Sequence, residues 1–288
     1  MTASPGNRRS DPLIPDDLSG WSANLTSVIS RSWRKILVVL AVTALIPVIA
    51  SAIGGLFINE VASQMLRDQA DELHTPTAAF LNDARALGAR LGIVLVVSLL
   101  TAYLSCVGWA AALRIALVEA ADRRVSIGES LQYGFRRGLR MWGWYVLAAV
   151  CVMVGICVFV LPGVYLIVVF GLFGPVVVCE TGPALARSLR LVHRSFAKIL
   201  GRMLLLLLFV LTITCATALL AGLFTSPLSG VQATVTTAEI ASDAIGSYLS
   251  TLLVGLLLTG GLLVTYAEAR AAEEPGLTTT AMLDGAPE

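Results

Sequence analysis

Asp71 and His74 are the residues whose types and spacing come closest to a catalytic or metal site. They stand three positions apart in the segment 59–90 and could share one metal ion if that segment is helical. The other carboxylates within reach are Glu60, Asp68, Glu72 and Asp83. A single histidine among scattered carboxylates is more typical of a solvated surface than of a site. The chain also carries no hydrolase, zinc-protease or nucleotide-binding motif in a suitable context, so we predict a non-enzymatic protein without a metal or cofactor.

The five cysteines offer no metal or redox centre either. They lie in or at the ends of apolar runs, none forms a C-x-x-C pair, and only two histidines accompany them in the whole chain. We therefore interpret them as small apolar packing residues. They are Cys106, Cys151, Cys157, Cys179 and Cys215.

Three pairs of basic residues have a spacing that suits the binding of phosphate groups. In each pair the two cations stand four positions apart, and so on one side of a helix, shortly before a long apolar run. Juxtamembrane cations attract anionic lipid headgroups by about 1 kcal/mol each. The alternatives are that these cations only fix the orientation of the chain, or that they dock a cytoplasmic partner. The pairs are Arg31 and Lys35, Arg136 and Arg140, and Arg194 and Lys198.

Composition places these residues in a membrane protein. Of the 288 residues, 57% are hydrophobic and 14% are charged, with a mean hydropathy of +0.83, whereas soluble proteins have about 25% charged residues. A net charge of +1 excludes a strongly basic nucleic-acid-binding protein. Six apolar stretches without Asp, Glu, Lys or Arg are long enough to cross about 30 Å of hydrocarbon as helices. We predict these spans at 36–58, 91–113, 141–161, 163–179, 203–224 and 248–267.

The distribution of basic residues predicts the orientation. With six spans both termini lie on one side, and that side holds 17 of the 20 lysines and arginines. The positive-inside rule identifies this side as the cytoplasm. Eighteen arginines against two lysines indicate a GC-rich bacterium. We therefore predict a multi-pass protein of the bacterial inner (cytoplasmic) membrane with both termini in the cytoplasm.

The segments before spans one, three and five form a threefold internal repeat. Each is amphipathic at helical spacing and contains one of the basic pairs. Ser126 and Glu129 form a capping box at the start of the second copy, and Pro183 suits the first turn of the third. The predicted fold class is all-α, with six transmembrane helices arranged as three units of interfacial helix plus transmembrane hairpin. The predicted domains are a disordered cytoplasmic tail over 1–17, a membrane domain over 18–268 and a disordered cytoplasmic tail over 269–288.

A pattern of turn and anchor residues runs from span three to span five. Leu161-Pro162-Gly163-Val164-Tyr165 predicts a tight reversal between spans three and four, and Pro175 and Glu180 follow. Together with Ala184-Leu185-x-x-Ser188-Leu189 and Arg194-Ser195-Phe196-x-Lys198-Ile199-Leu200, this pattern resembles the membrane-domain family of glycerophosphoryl diester phosphodiesterases and related six-helix bacterial membrane proteins. The resemblance covers about residues 158–205 and implies a membrane architecture. It carries over no catalytic residue, and we expect the phosphodiesterase domain of some family members to be absent here.

These observations favour a non-enzymatic component that organises the membrane or associates with its lipids. The expected partners are membrane lipids, above all anionic ones, and a second copy of the chain or another membrane protein, but no nucleic acid. The alternative is a transporter or permease-like subunit for a hydrophobic or lipid substrate. Ion-coupled carriers normally place an ionisable residue at membrane depth, and no predicted span contains one. The nearest, Glu180, is expected to pair with Arg187 or Arg190.

Overall fold

The computed structural model describes the backbone of residues 11–15, 17–71, 78–225 and 237–286. It describes the side chains of all these residues except 55–87, 89–91, 224–225 and 237–239. This part of the chain forms nine α-helices and no strand. The helices are α1 (Leu18–Asp71), α2 (Ala78–Ala120), α3 (Ile127–Val158), α4 (Val160–Phe170), α5 (Phe173–Cys179), α6 (Ala184–Arg194), α7 (Phe196–Thr225), α8 (Thr237–Ala271) and α9 (Thr279–Asp284).

Six helical stretches in the described chain are long and apolar enough to cross a membrane. Each overlaps one of the predicted spans, and the fourth consists of α4 and α5 together. The all-α architecture with six membrane-length stretches, predicted from hydropathy, is confirmed. The stretches are Leu18–Gly54, Gly92–Ala120, Ile127–Val158, Val160–Cys179, Phe196–Leu223 and Ile240–Ala271.

The long helices pack mainly against their chain neighbours, and α8 closes the arrangement against α1. In α1, Thr43 lies against Gly108 of α2, and the Trp21 indole donates to Thr265 Oγ1 of α8 over 3.1 Å. α2 also packs on α3, and α7 on α8. The core lies where the second half of α2 meets α5 and the end of α8. There α5 is buried along its whole length, as are most residues of 110–118.

Glycines on facing helices allow α3 and α1 to lie directly against α2. A Cβ on Gly134 would lie 2.5 Å from the carbonyl oxygen of Val107, and a Cβ on Gly138 would lie 2.6 Å from Val107 Cγ2. Both distances are too short for non-bonded atoms, so only glycine fits at this helix separation. Gly108 has the same role toward Thr43.

The predicted interfacial helices are only partly separate from the spans. Helices α1 and α3 begin at Leu18 and Ile127 and continue without a break into their apolar runs. Neither preamble contains a proline that would interrupt the helix. A helix continuous with a span cannot lie in the membrane plane, so the interfacial interpretation is wrong for these two copies. Only the third copy, α6, is separate, because Ser195 with φ −130° and ψ 39° ends it before α7. The predicted repeat is therefore not reproduced as three equal units.

The reversal between spans three and four lies earlier than predicted. Phe159, with φ −166° and ψ 142°, is the extended residue between α3 and α4. Leu161, Pro162 and Gly163 belong to the beginning of α4, where a proline is tolerated because its N–H would be unpaired. A Cβ on Gly163 would lie 2.2 Å from Ile156 Cγ1. The Pro-Gly sequence thus begins a helix that packs closely on α3, and the turn itself precedes it.

Both ends of the described chain are folded onto the membrane domain, in contrast to the predicted disordered tails. Leu13 is fully buried, and the Asp11 carboxylate accepts hydrogen bonds from the backbone N–H and the hydroxyl of Thr279. Met282 of α9 is also fully buried. The prediction of disorder is wrong for 11–15 and 269–286, because both segments contribute apolar side chains to the core. Residues 1–10 lie outside the described chain.

Candidate functional site at the charged end of the bundle

Apart from Asp243 near the start of α8, the charged side chains that the structure describes gather at one end of the bundle, which we call the charged end. It is formed by the starts of α1, α3 and α7, the ends of α2, α5 and α8, and the whole of α6 and α9. All seven ion pairs between described residues lie there. This end is therefore the candidate functional site.

Glu180 is the centre of a network of buried ion pairs. It caps the end of α5, and its Oε2 accepts a hydrogen bond from Arg187 Nε over 2.8 Å. Its Oε1 accepts a hydrogen bond from the Tyr266 hydroxyl, also over 2.8 Å. A second guanidinium nitrogen of Arg187 lies 2.7 Å from the Glu273 carboxylate. The predicted pairing of Glu180 with Arg187 is confirmed, and the network ties α5 and α6 to α8 and the residues that follow it.

Burial and ion pairing act in opposite directions on the pKa of the Arg187 guanidinium. The side chains of Glu180 and Arg187 are each 19% exposed, and that of Glu273 is 11% exposed. Burial of the guanidinium acts to lower its pKa, but the hydrogen bonds and charges of Glu180 and Glu273 outweigh this and raise the pKa above its ordinary value. Because Glu180 already has two protein partners, we interpret the network as structural and not as a proton pathway.

A second buried ion pair, absent from our sequence-based predictions, joins α7 to α8. Arg202 donates from two nitrogens to the two carboxylate oxygens of Glu268, each over 3.2 Å. Its guanidinium lies 5.6 Å from the ring centre of Trp21, within cation–π range. Two sequence signals point to this pair. Arg202 stands four residues after Lys198, and Glu268 follows directly after the last apolar run.

The first of the three basic pairs is neutralised within the protein. Arg31 forms an ion pair with Asp122 over 2.9 Å, and Lys35 forms one with Glu119 over 2.6 Å. Lys35 also donates to the backbone carbonyl of Val125. The prediction that this pair presents two free cations to lipid headgroups is wrong, because the end of α2 brings two carboxylates to the side of α1. These cations fasten α1 to the α2–α3 connection.

The other two basic pairs are largely without carboxylate partners. Arg136, Arg194 and Lys198 are exposed, and no carboxylate of the described chain lies within 4.0 Å of them. Arg140 is partly buried and donates to the backbone carbonyl of Gly182 over 2.6 Å. Contact of these residues with anionic lipid stays a prediction.

The remaining turn and anchor residues hold α4, α5 and α6 together. Tyr165 on α4 places its hydroxyl 3.0 Å from Nε2 of His193 on α6. Pro175 is buried in the first turn of α5, and Glu180 ends that helix. Tyr165, Pro175 and Glu180 therefore lie where α6 rests against the broken fourth span, whereas Leu161 is exposed at the start of α4.

At the charged end, the described carboxylates have partners within the protein, whereas several of the cations have no carboxylate partner. Every described carboxylate there has a hydrogen-bond or ion-pair partner in the protein; these are Asp11, Asp17, Glu119, Asp122, Glu129, Glu180, Glu268, Glu273, Glu274 and Asp284. Six exposed cations have no carboxylate of the described chain within 4.0 Å; these are Arg34, Arg124, Arg136, Arg190, Arg194 and Lys198. We call these six residues the free cations. The surface that they form is positive, although the whole chain has a net charge of only +1.

The described residues contain no group of three or more His, Cys, Asp or Glu side chains that could hold a metal ion. Cys106 and Cys179 are buried, in positions that suit packing. His74 lies outside the described chain, and the side chain of Asp71 is not described. The hypothesis that these two residues share a metal ion therefore lies outside the part of the molecule that the structure describes.

Comparison of the chain with family models, with curated proteins and with solved structures finds no match. Its class follows from the fold itself. The protein is an α-helical, multi-pass membrane protein, with six helical stretches of spanning length in its described residues. Its functional assignment must come from the charged end.

Proposed function

We propose that this protein is a non-enzymatic component of the bacterial inner membrane that associates with anionic lipids through its charged end. The observation that supports the proposal is the difference between the carboxylates and the cations at this end in their partners within the protein. The described carboxylates at this end are bonded within the protein, whereas the six free cations are left for ligands outside it. The likeness of 158–205 to the phosphodiesterase membrane domains is in keeping with a membrane role and supplies no activity.

The positions of the free cations suit contact with headgroups. Arg34, Arg136 and Lys198 each precede the apolar run of a spanning helix by a few residues. Arginine and lysine side chains at such positions reach the phosphate layer while the helix stays in hydrocarbon. The same surface would also allow the protein to organise the membrane with a second copy or another membrane protein.

The charged end is proposed to face the cytoplasm, with both termini there. In intact cells, a membrane-impermeant thiol reagent is expected to label Asp71→Cys, at the opposite end of α1. The same reagent should label Arg124→Cys only after the membrane is opened, because 17 of the 20 basic residues lie on that side of the predicted spans. The unsubstituted chain controls for its own cysteines, and the reverse labelling pattern would contradict the orientation.

Lipid binding tests the function directly. We expect replacement of Arg136, Arg190 and Arg194 together by glutamine to weaken the binding of phosphatidylglycerol to the purified full chain. At low salt each cation contributes up to about 1 kcal/mol, so the loss is of the order of tenfold to a hundredfold and shrinks as salt is added. Native mass spectrometry of the detergent-solubilised protein, titrated with the lipid, measures this.

A matched single substitution separates free from neutralised cations. Arg31→Gln removes a cation that Asp122 already pairs, whereas Arg136→Gln removes one without a carboxylate partner among the described residues. Only the second should lower phosphatidylglycerol affinity. Equal effects of the two, or none from the triple variant, would overturn the proposal. Saturable flux of a lipid or hydrophobic substrate in proteoliposomes would instead support the alternative function, a transporter or permease-like subunit.

A further inference from the structure

An open groove runs between the first turns of α1 and the first turns of α7. A cavity of about 400 Å³ lies at its charged end, and a second cavity of about 600 Å³ adjoins it and extends further along α7. The two cavities share Asp17, Leu18 and Leu205. The Arg202–Glu268 pair closes the inner wall of the first cavity.

Two opposite charges in this groove are left without an ion-pair partner. Arg202 and Glu268 neutralise each other and are largely buried. Lys198 is exposed and has no carboxylate of the described chain within 4.0 Å. Asp17 is exposed too, and among the described residues its carboxylate accepts hydrogen bonds from Ser19 and the backbone of Gly20 but has no cation within 4.0 Å. Among the described residues, the groove therefore offers Lys198, one of the free cations, and Asp17, a carboxylate that is hydrogen-bonded but has no ion-pair partner.

The carboxylate of Asp17 is kept charged. The hydrogen bond from the Gly20 backbone, the hydrogen bond from Ser19 and the charge of Arg202 together lower its pKa below the ordinary value. A carboxylate has lone pairs for about four hydrogen bonds, so these contacts leave room for an external donor.

The apolar part of the groove lies along α7 on the membrane side of these charges. Leu205 and Phe209 follow Lys198 by two and three helical turns, so Phe209 lies about 16 Å further along the axis. Charges at one end and an apolar wall below them reproduce the order of headgroup and acyl chain in a phospholipid.

We propose that this groove binds one zwitterionic aminophospholipid of the phosphatidylethanolamine type. Lys198 pairs with its phosphate, Asp17 accepts hydrogen bonds from its ammonium group, and an acyl chain lies on Leu205 and Phe209. The site rests on the proposed lipid association and adds to it a defined place and a lipid class. Phosphatidylcholine has the same phosphate but no N–H donor for Asp17, so the groove discriminates between the two lipids.

The test is a titration of the detergent-solubilised full chain with phosphatidylethanolamine and with phosphatidylcholine, followed by native mass spectrometry. We expect one phosphatidylethanolamine to bind about threefold more tightly than phosphatidylcholine. This is the effect of one exposed hydrogen bond from the ammonium to the Asp17 carboxylate, since choline keeps the charge but has no N–H. Asp17→Asn should reduce this preference, since asparagine still caps α1 but offers the ammonium only a neutral, weaker acceptor. Lys198→Gln should weaken the binding of both lipids by a similar factor.

Arg194→Gln serves as the matched control, because it removes a free cation outside the groove. It should lower phosphatidylglycerol binding and leave the preference for phosphatidylethanolamine unchanged. Equal binding of the two zwitterionic lipids by the unsubstituted chain, or a preference that Asp17→Asn leaves unchanged, would overturn the groove site alone. Failure of the Arg136, Arg190 and Arg194 replacement to weaken phosphatidylglycerol would instead overturn the proposed function, so the two failures are distinguishable.

Discussion

Arg187→Met is expected to lower the free energy of unfolding by about 3–5 kcal/mol. The substitution leaves the carboxylates of Glu180 and Glu273 largely buried without their cation, and removing one partner of a buried pair has a cost of this order. Unfolding of the purified protein by SDS titration in mixed micelles measures the loss. The matched control is Arg190→Met on the same helix, which removes an exposed arginine without a carboxylate partner among the described residues and should change little.

A compensating variant tests whether the loss comes from the unpaired charges. If Glu180→Gln and Glu273→Gln are added to Arg187→Met, most of the stability should return, because no buried charge is then left alone. A loss that persists in the triple variant, or an equal loss from Arg190→Met, would contradict the structural role of the network.

Gly134→Ala is expected to destabilise the protein by about 1–3 kcal/mol, the usual cost of overpacking. The new methyl group would lie 2.5 Å from the Val107 carbonyl oxygen and 3.1 Å from Ala111 Cβ, and the first of these is backbone that moves only with α2 as a whole. Gly143→Ala, about two and a half turns along the same helix, is the control. It has nothing within 4 Å of the new Cβ, so we expect a neutral or slightly favourable change there. Thermal unfolding of both variants in detergent gives the comparison, and equal effects would contradict the close α2–α3 contact.

The number and places of the spans could be predicted because they depend on local composition. A helix in hydrocarbon needs about 20 apolar residues wherever it packs, so hydropathy alone locates it. The amphipathic pattern of 18–35 is different, because the same apolar side suits a helix on the membrane surface or one packed on a neighbour. In the structure Trp21 contacts Thr265, and Leu25 and Ile29 lie against Gly260, so α8 covers that side. A pattern shows which side is apolar and not what covers it.

The ion pairs likewise differ in whether the sequence alone could predict them. Glu180 and Arg187 are seven residues apart, and their pairing could be predicted from a short connection. Arg202 and Glu268 are 66 residues apart and meet only because α7 packs on α8. Lys35 likewise finds Glu119 through the packing of α1 on α2. The groove between α1 and α7 depends on the packing of both helices on α8, so the sequence could indicate Lys198 as a lipid contact but not Asp17 beside it.

The hydrogen bond between Asp11 and Thr279 joins residues 268 positions apart and so sets an order on biosynthesis. Before Thr279 has been translated, the Asp11 carboxylate lacks the two donors that join the N-terminal segment to α9, although the Asn24 side chain can already donate to the Asp11 backbone carbonyl. Leu13, which is fully buried in the folded protein, belongs to the same N-terminal segment. The link between the N-terminal segment and α9 is thus made late in assembly, and a nascent chain that stalls before α9 lacks it.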